Sequence, residues 1–219
     1  MLGINKDGKK DVLGIWINEN ESATFWTEVF EEIKARGVEE ILFISLDGLS
    51  GLSEAIEQIY PKAKTQRCIV HIVRNIYGIL DKKKSKEIIG DLKKIYTASN
   101  GNNAKLEYEN FIEKYKSNEK LIKKLNSVIE HIFNIFEYPI EIRKIIYTTN
   151  PIESLNSSLR KVTRGKGSFI SKEALLKVLY LRIKDLEKSW SKGTKNWNNV
   201  KHQLIELYGE RVLKYYFNT

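Results

Sequence analysis

Among 219 residues there is a single cysteine, Cys68. That rules out an internal disulfide, and a closed structural zinc site is not expected either. The prolines number three and act as punctuation: Pro61 stops a helical pattern, Pro139 closes a helical block and Pro151 sits inside a helix start. No apolar run approaches the length of a membrane span. Met1 to Lys10 has no apolar core of the kind an export signal needs. These absences lead us to expect a cytoplasmic protein with no membrane partner. Neither sign of charge is scarce, but the two are unequal: 37 Lys and Arg against 28 Asp and Glu give +9. Two readings stay open on charge alone, an ordinary basic protein or one with a polyanionic partner, most often nucleic acid.

The remaining residues alternate between strand and helix patterns before turning helical. Leu2-Gly3-Ile4, the turn Asn5 to Lys10 with its Asp7-Gly8 pair, and the apolar run Val12 to Ile17 predict a hairpin. Ser22 or Thr24 caps a predicted helix to about Arg36, with Phe25, Val29, Phe30 and Ile33 on one stripe and Gly37 after it. Glu40 to Leu46 predicts a second strand closed by Asp47-Gly48. A helix from about Gly51 to Tyr60 and a short strand from Thr65 to Val70 follow. Residues 72–138 read as helical throughout, interrupted most clearly at Ser99 to Asn103. Ile146 to Thr149 reads as a strand or extended run that stops at a capped helix. After a basic glycine loop from Thr163 to Ser168, helices are predicted at about Lys172 to Trp190 and Trp197 to Phe217. The pattern is α/β with a helical insertion, divided as 1–71, 72–138 and 139–219.

Several residues could carry chemistry, and each has an ordinary alternative. Asp47 ends an apolar strand, where functional groups collect in open α/β sheets. Taken alone, it is more commonly an aspartate before glycine in a turn. Glu153 lies three residues after Asn150 with Pro151 between, which is a capping-box arrangement contributing about 0.5–2 kcal/mol. As a ligand it would instead join Asp47 in offering carboxylate oxygen to Mg²⁺. Glu153, Asn156 and Arg160 fall along one helix face. Arg160, Lys161, Arg164 and Lys166 form a basic cluster that suits phosphate contact, whereas Lys82-Lys83-Lys84 reads as a solvated turn. Cys68 and His71 have the spacing of half a zinc site, but no second half exists, so a buried cysteine and a histidine packed at a sheet end are expected. The tryptophans at 16, 26, 190 and 197 show no stacking-platform spacing and are expected to pack.

Four segments occur in order: Lys10 to Trp16, Leu46 to Leu52, Gln66 to Asn75 and Tyr147 to Asn156. Together they resemble bacterial insertion-sequence transposases of the Mutator type, over about Leu2 to Arg211. The resemblance implies a ribonuclease H-like domain with a DDE triad and a helical insertion before the last acid. Asp47 matches the second acid and Glu153 the third. Cys68, His71, Asn150 and Asn156 match the family signature. The implied cofactor is Mg²⁺ or Mn²⁺, and the implied partner is the terminal-repeat DNA of an insertion element.

The first acid of the triad has no match. Asp7 belongs to the hairpin turn and Asp11 to its flank. By the resemblance, the fold lacks its first strand and the chain corresponds to the C-terminal part of a transposase, inactive alone. A missing central strand would leave the strand ending at Leu46 with an open edge, inviting self-association or pairing with full-length transposase. The competing reading is a non-catalytic DNA-binding or interaction module that pairs with intact transposase.

Overall fold

The computed structural model describes residues 1–18, 20–48, 51–147, 150–165, 169–190 and 193–217. It is a mixed α/β chain in which helices dominate. Two compact units are present: Met1–Glu21 together with Thr149–Thr219, and Ser22–Thr148. No helix among the described residues is long and apolar enough to cross a membrane.

In the Ser22–Thr148 unit, α1 (Ala23–Ala35) begins where the Ser22 hydroxyl accepts a hydrogen bond from the Phe25 amide. Val29, Phe30 and Ile33 form its buried stripe. The helix ends ahead of Gly37, whose φ of +99° suits glycine. Strand β3 (Phe43–Leu46) pairs in parallel with β4 (Lys64–Arg67), placing Leu46 opposite Arg67. A parallel pair needs a crossover, and α2 (Leu52–Ile59) supplies it, burying Leu52, Ala55 and Ile56. Phe30 meets Tyr60 edge to face at 5.9 Å, and the Tyr60 hydroxyl donates to the Val38 carbonyl at 2.7 Å. Both strands are shorter than predicted. Glu40 to Leu42 stay outside β3, and Ile69 and Val70 belong to a helix, because four residues of register are all that β3 and β4 share. Among the described residues β3 pairs with β4 alone.

The helical block expected for 72–138 is present. It comprises α3 (Ile69–Tyr77), α4 (Lys82–Tyr96), α5 (Gly101–Tyr115), α6 (Glu119–Asn126), α7 (Ile129–Phe133) and a 3₁₀ turn at Asn134–Glu137. Its core is a series of apolar residues at helical spacing, including Ile72, Ile76, Ile88, Leu92, Ile95, Phe111, Leu121, Leu125 and Ile132. The predicted break at Ser99 to Asn103 falls between α4 and α5, where Asn100 caps α5 by accepting from the Asn103 amide. Lys82 to Lys84 are exposed, as expected, but they form the first turn of α4 behind the Asp81 cap.

Asp91 clasps α4 to α5. Its carboxylate accepts from Lys94 at 2.8 Å, Lys114 at 2.6 Å and the Tyr115 hydroxyl at 2.8 Å. The Lys114 bond, then the Lys94 bond, hold its pKa well below the usual carboxylate range. A pKa lowered by folding contributes stability that is complete above the unfolded value near 4 and is lost as pH falls through the folded one. Asp91→Asn should therefore be less stable than the parent at neutral pH, with the gap narrowing as pH drops below about 4. Urea unfolding across pH checks this; a gap independent of pH would contradict it.

One segment corrects the sequence reading. Ile146 and Tyr147 lie in a helix, α8 (Ile140–Tyr147), not in an extended run. The β-branched character of Ile145 and Ile146 is overridden by tertiary contacts, since Ile142, Arg143 and Ile146 line one buried face. Thr148 and Thr149 lie outside the described residues.

In the other unit, β1 (Leu2–Ile4) and β2 (Lys10–Val12) form the predicted antiparallel hairpin, with Leu2 opposite Val12. The Asn5 side chain accepts from the Asp7 and Lys9 amides, both at 3.0 Å, and Gly8 turns at a φ of +75°. The run Val12 to Ile17 does not continue as a strand. The Leu13 amide donates to the Met1 carbonyl at 3.1 Å and the Met1 amino group to the Gly14 carbonyl at 2.8 Å, but the ladder itself ends at Val12. The rest of the unit is α9 (Asn150–Thr163), α10 (Lys172–Ser189), α11 (Trp197–Tyr208) and α12 (Glu210–Phe217). The last two were expected as one helix. Gly209, at a φ of +49°, divides them.

Candidate functional site

The carboxyl ends of β3 and β4 bring several of the expected residues together. Asp47 follows β3 directly and is exposed. Among the described residues it makes no hydrogen bond or ion pair. Gly48 then turns at a φ of +98°. A side chain there would meet the Arg67 guanidinium, whose Nε and Nη2 would lie 3.1 Å from an added Cβ. Arg67 is the last residue of β4, so its charged group lies across the Asp47-Gly48 turn.

Cys68 comes next. Its amide donates to the Leu46 carbonyl at 2.5 Å, extending the ladder by one bond. It is buried and is the N-cap residue of α3. His71 lies one turn into that helix, half-buried, with Nδ1 enclosed and unpaired among the described residues. Cys68 and His71 are thus stacked on the first turn of α3, close behind the strand end. His131 of α7 belongs to the same neighbourhood: the Gln66 amide donates to its carbonyl at 2.7 Å. Burial, then the positive charge of Arg67, lower the His131 pKa.

The second group of expected residues lies on α9, in the other unit. Glu153 is in the first turn and half-buried; Asn156, Arg160 and Lys161 are exposed along the helix, and Arg164 is exposed just beyond it. Among the described residues of this helix Leu155 is the buried one. The side chain of Asn150, and all of Lys166, lie outside the described residues. No three His, Cys, Asp or Glu side chains among the described residues gather into a metal-binding group.

Sequence reasoning missed two features. Arg67 belongs to the Gln66 to Asn75 segment, but the predicted strand Thr65 to Val70 puts it mid-strand, and only the observed end of β4 sets it beside the Asp47-Gly48 turn. The distribution of charge between the units was also missed. The unit made of Met1–Glu21 and Thr149–Thr219 has 17 Lys and Arg against 10 Asp and Glu, while Ser22–Thr148 has 20 against 18. Most of the net positive charge therefore belongs to the unit that contains α9.

Comparison with known proteins identifies the family. A model of the family described as Transposase, Mutator family matches residues 1–193. The chain is 36% identical over 212 residues to a probable transposase for insertion sequence element ISRM3-like from Sinorhizobium fredii, covering 96% of this chain and 53% of that protein. It is likewise 36% identical over 212 residues to the transposase for insertion sequence element ISRM3 from Rhizobium meliloti, with the same coverage. A probable insertion-element transposase from Corynebacterium diphtheriae is 32% identical over 235 residues, covering 98% of this chain and 68% of that protein. The chain spans about half the length of the first two relatives. With the family model matching most of its length and relatives of this identity, the chain belongs to the Mutator family of transposases.

Proposed function

We propose that this chain acts in DNA transposition, as part of a catalytic domain that cuts and joins DNA at insertion-element ends by metal-dependent phosphoryl transfer. The observation that carries the reading is Asp47. It is a carboxylate left exposed and unpaired at the carboxyl end of a parallel strand, where α/β folds place functional groups. The β3–α2–β4 crossover is compatible with a ribonuclease H-like core, in which Asp47 and Glu153 would be the second and third acids of a DDE triad.

The donor chemistry fits Mg²⁺ or Mn²⁺. Both acids offer hard oxygen ligands, and Mg²⁺ commonly takes one or two carboxylates with substrate phosphate completing its shell. A bound metal pair would supply an activated nucleophile and stabilise the leaving oxygen. The protein's own contribution is to hold the charges. Asp47 is fixed by the end of β3, and Glu153 by the first turn of α9, where a helix start favours an acid. Asn156, Arg160, Lys161 and Arg164, with Lys166 beyond them, would contact the DNA backbone. No carboxylate in this sequence matches the first acid of the triad, so the chain by itself is proposed to bind DNA and metal without turnover.

Fluorescence anisotropy with an insertion-element end as probe tests this. Millimolar Mn²⁺ should tighten binding by the parent chain, and Asp47→Asn and Glu153→Gln should each remove that gain without weakening metal-free binding. DNA binding that ignores the metal in parent and variants alike would sink the assignment of the two acids. A failure to bind DNA at all would sink the function.

A further inference from the structure

We infer that Arg67 is a DNA-contacting residue of this site, its guanidinium engaging a backbone phosphate beside Asp47. The inference rests on the transposase reading above and adds to it a residue that the acids and the α9 cluster do not include.

Three observations carry it. The first is position: Arg67 ends β4 in register with Leu46, which ends β3, so the guanidinium and the Asp47 carboxylate leave the same edge of the same two-stranded sheet. The second is the absence of any partner for the two charged groups. The Arg67 carbonyl accepts from the Gln66 side-chain amide at 3.0 Å, but among the described residues nothing hydrogen-bonds or ion-pairs with its guanidinium, and the Asp47 carboxylate is equally unengaged. Adjacent opposite charges that do not pair are poised to bind something else. Arg67 is half-buried as a residue, and its guanidinium donors meet no protein acceptor among the described residues, which leaves them available to an incoming anion.

The third is the packing that aims it. The guanidinium lies over Gly48, where a Cβ would be 3.1 Å from both Nε and Nη2. Glycine at that position lets the planar group lie against the turn that presents Asp47. His131, whose pKa the Arg67 charge helps to lower, adds no carboxylate that could neutralise it. A phosphodiester fits these requirements: it is planar-fork compatible with arginine, singly charged, and the group that a ligand acid must also approach.

The test uses the full chain and an insertion-element-end duplex, without divalent ions, so that metal binding does not enter. Each phosphate neutralised contributes a slope of about −0.9 in log K against log salt. Arg67→Gln should therefore make the slope shallower by about one contact and weaken binding roughly eightfold at 0.1 M salt. Arg67→Lys should keep the slope, since the charge remains, while losing part of the affinity that a two-pronged contact gives. Asp47→Asn should bind the metal-free duplex more tightly than the parent. A folded Arg67→Gln with unchanged slope and affinity overturns the inference. If Arg67→Gln does not fold, Arg67→Lys decides, and parental affinity there overturns it too. Lack of DNA binding by the parent chain is the separate result that removes the transposase reading itself.

Discussion

Gly8→Ala should destabilise the Met1–Glu21 and Thr149–Thr219 unit by about 2–4 kcal/mol. The tip of the hairpin is held by residues nearly two hundred positions away. The Gly8 carbonyl accepts from both the amide and the hydroxyl of Thr194, each at 2.7 Å. The Lys6 carbonyl accepts from the Trp197 indole at 2.8 Å and from the Tyr216 hydroxyl, and the Lys6 amine donates to the Tyr215 carbonyl at 2.8 Å. A methyl at Gly8 would lie 2.4 Å from Trp197 Cγ and 2.5 Å from Cδ2. The ring cannot give way without breaking its bond to Lys6. The φ of +75° adds backbone strain for any residue with a Cβ.

Gly165→Ala separates the two costs. Its φ is +84°, but an added Cβ meets nothing within 4 Å, so it carries the backbone strain alone. Urea unfolding should show Gly165→Ala losing about 1 kcal/mol and Gly8→Ala at least twice that. The pair Gly8→Ala with Trp197→Ala should be less destabilised than the sum of its parts, because the clash is counted once. Equal losses for the two glycine variants would show that the indole does not enforce the turn.

Trp197 also illustrates what the sequence could not disclose. Its expected role was packing, which is correct, yet nothing near it identifies a hairpin at the opposite end of the chain as the partner. Local signals served well where the deciding interaction was local. The Ser22 and Asn100 caps rest on contacts within a few residues, and the Phe30 and Ile33 stripe and the Asp7-Gly8 turn carry local patterns even though distant partners also hold them. They failed where the deciding contact was distant. Val12 to Ile17 has strand composition, yet the ladder ends at Val12, and Ile146 and Tyr147 have strand composition but a helical face to bury. Gly209 is a local signal that was passed over, since a glycine near a helix end often stops it.

The candidate site divides in the same way. Asp47 was legible because an apolar strand followed by Asp-Gly is a local pattern, and Glu153 because a helix start is one. Neither pattern could decide between a structural and a chemical role. For Asp47 the balance shifts with its exposure and its lack of any partner among the described residues. Arg67 was illegible as a site residue because its meaning lies in the parallel register that sets it beside Gly48.

Arg143→Met should cost about 3 kcal/mol or more in the Ser22–Thr148 unit, although it replaces a charge with an apolar side chain of similar length. Arg143 is only 5% exposed, and among the described residues no carboxylate is buried with it. Its Nη1 donates to the Ala98 carbonyl at 2.9 Å and its Nη2 to the Ser99 carbonyl at 2.8 Å. Those carbonyls belong to the turn that ends α4 and starts α5. The guanidinium also stacks 4.7 Å from the Phe136 ring centroid. Removing a buried ion pair in favour of apolar residues is often harmless, because both charges leave together. Here the acceptors are backbone and stay behind, so each carbonyl loses its donor, at about 1–3 kcal/mol apiece. Arg143→Lys keeps the charge but presents one point of attachment where the turn offers two, and should recover less than half of the loss. The effect should be cooperative across the helical block, because α8 is tied to the α4–α5 turn through this residue. The denaturation midpoint should therefore fall with an unchanged m-value. A loss under 1 kcal/mol for Arg143→Met would mean that water satisfies both carbonyls, and that Ile142 and Ile146 alone hold α8 in place.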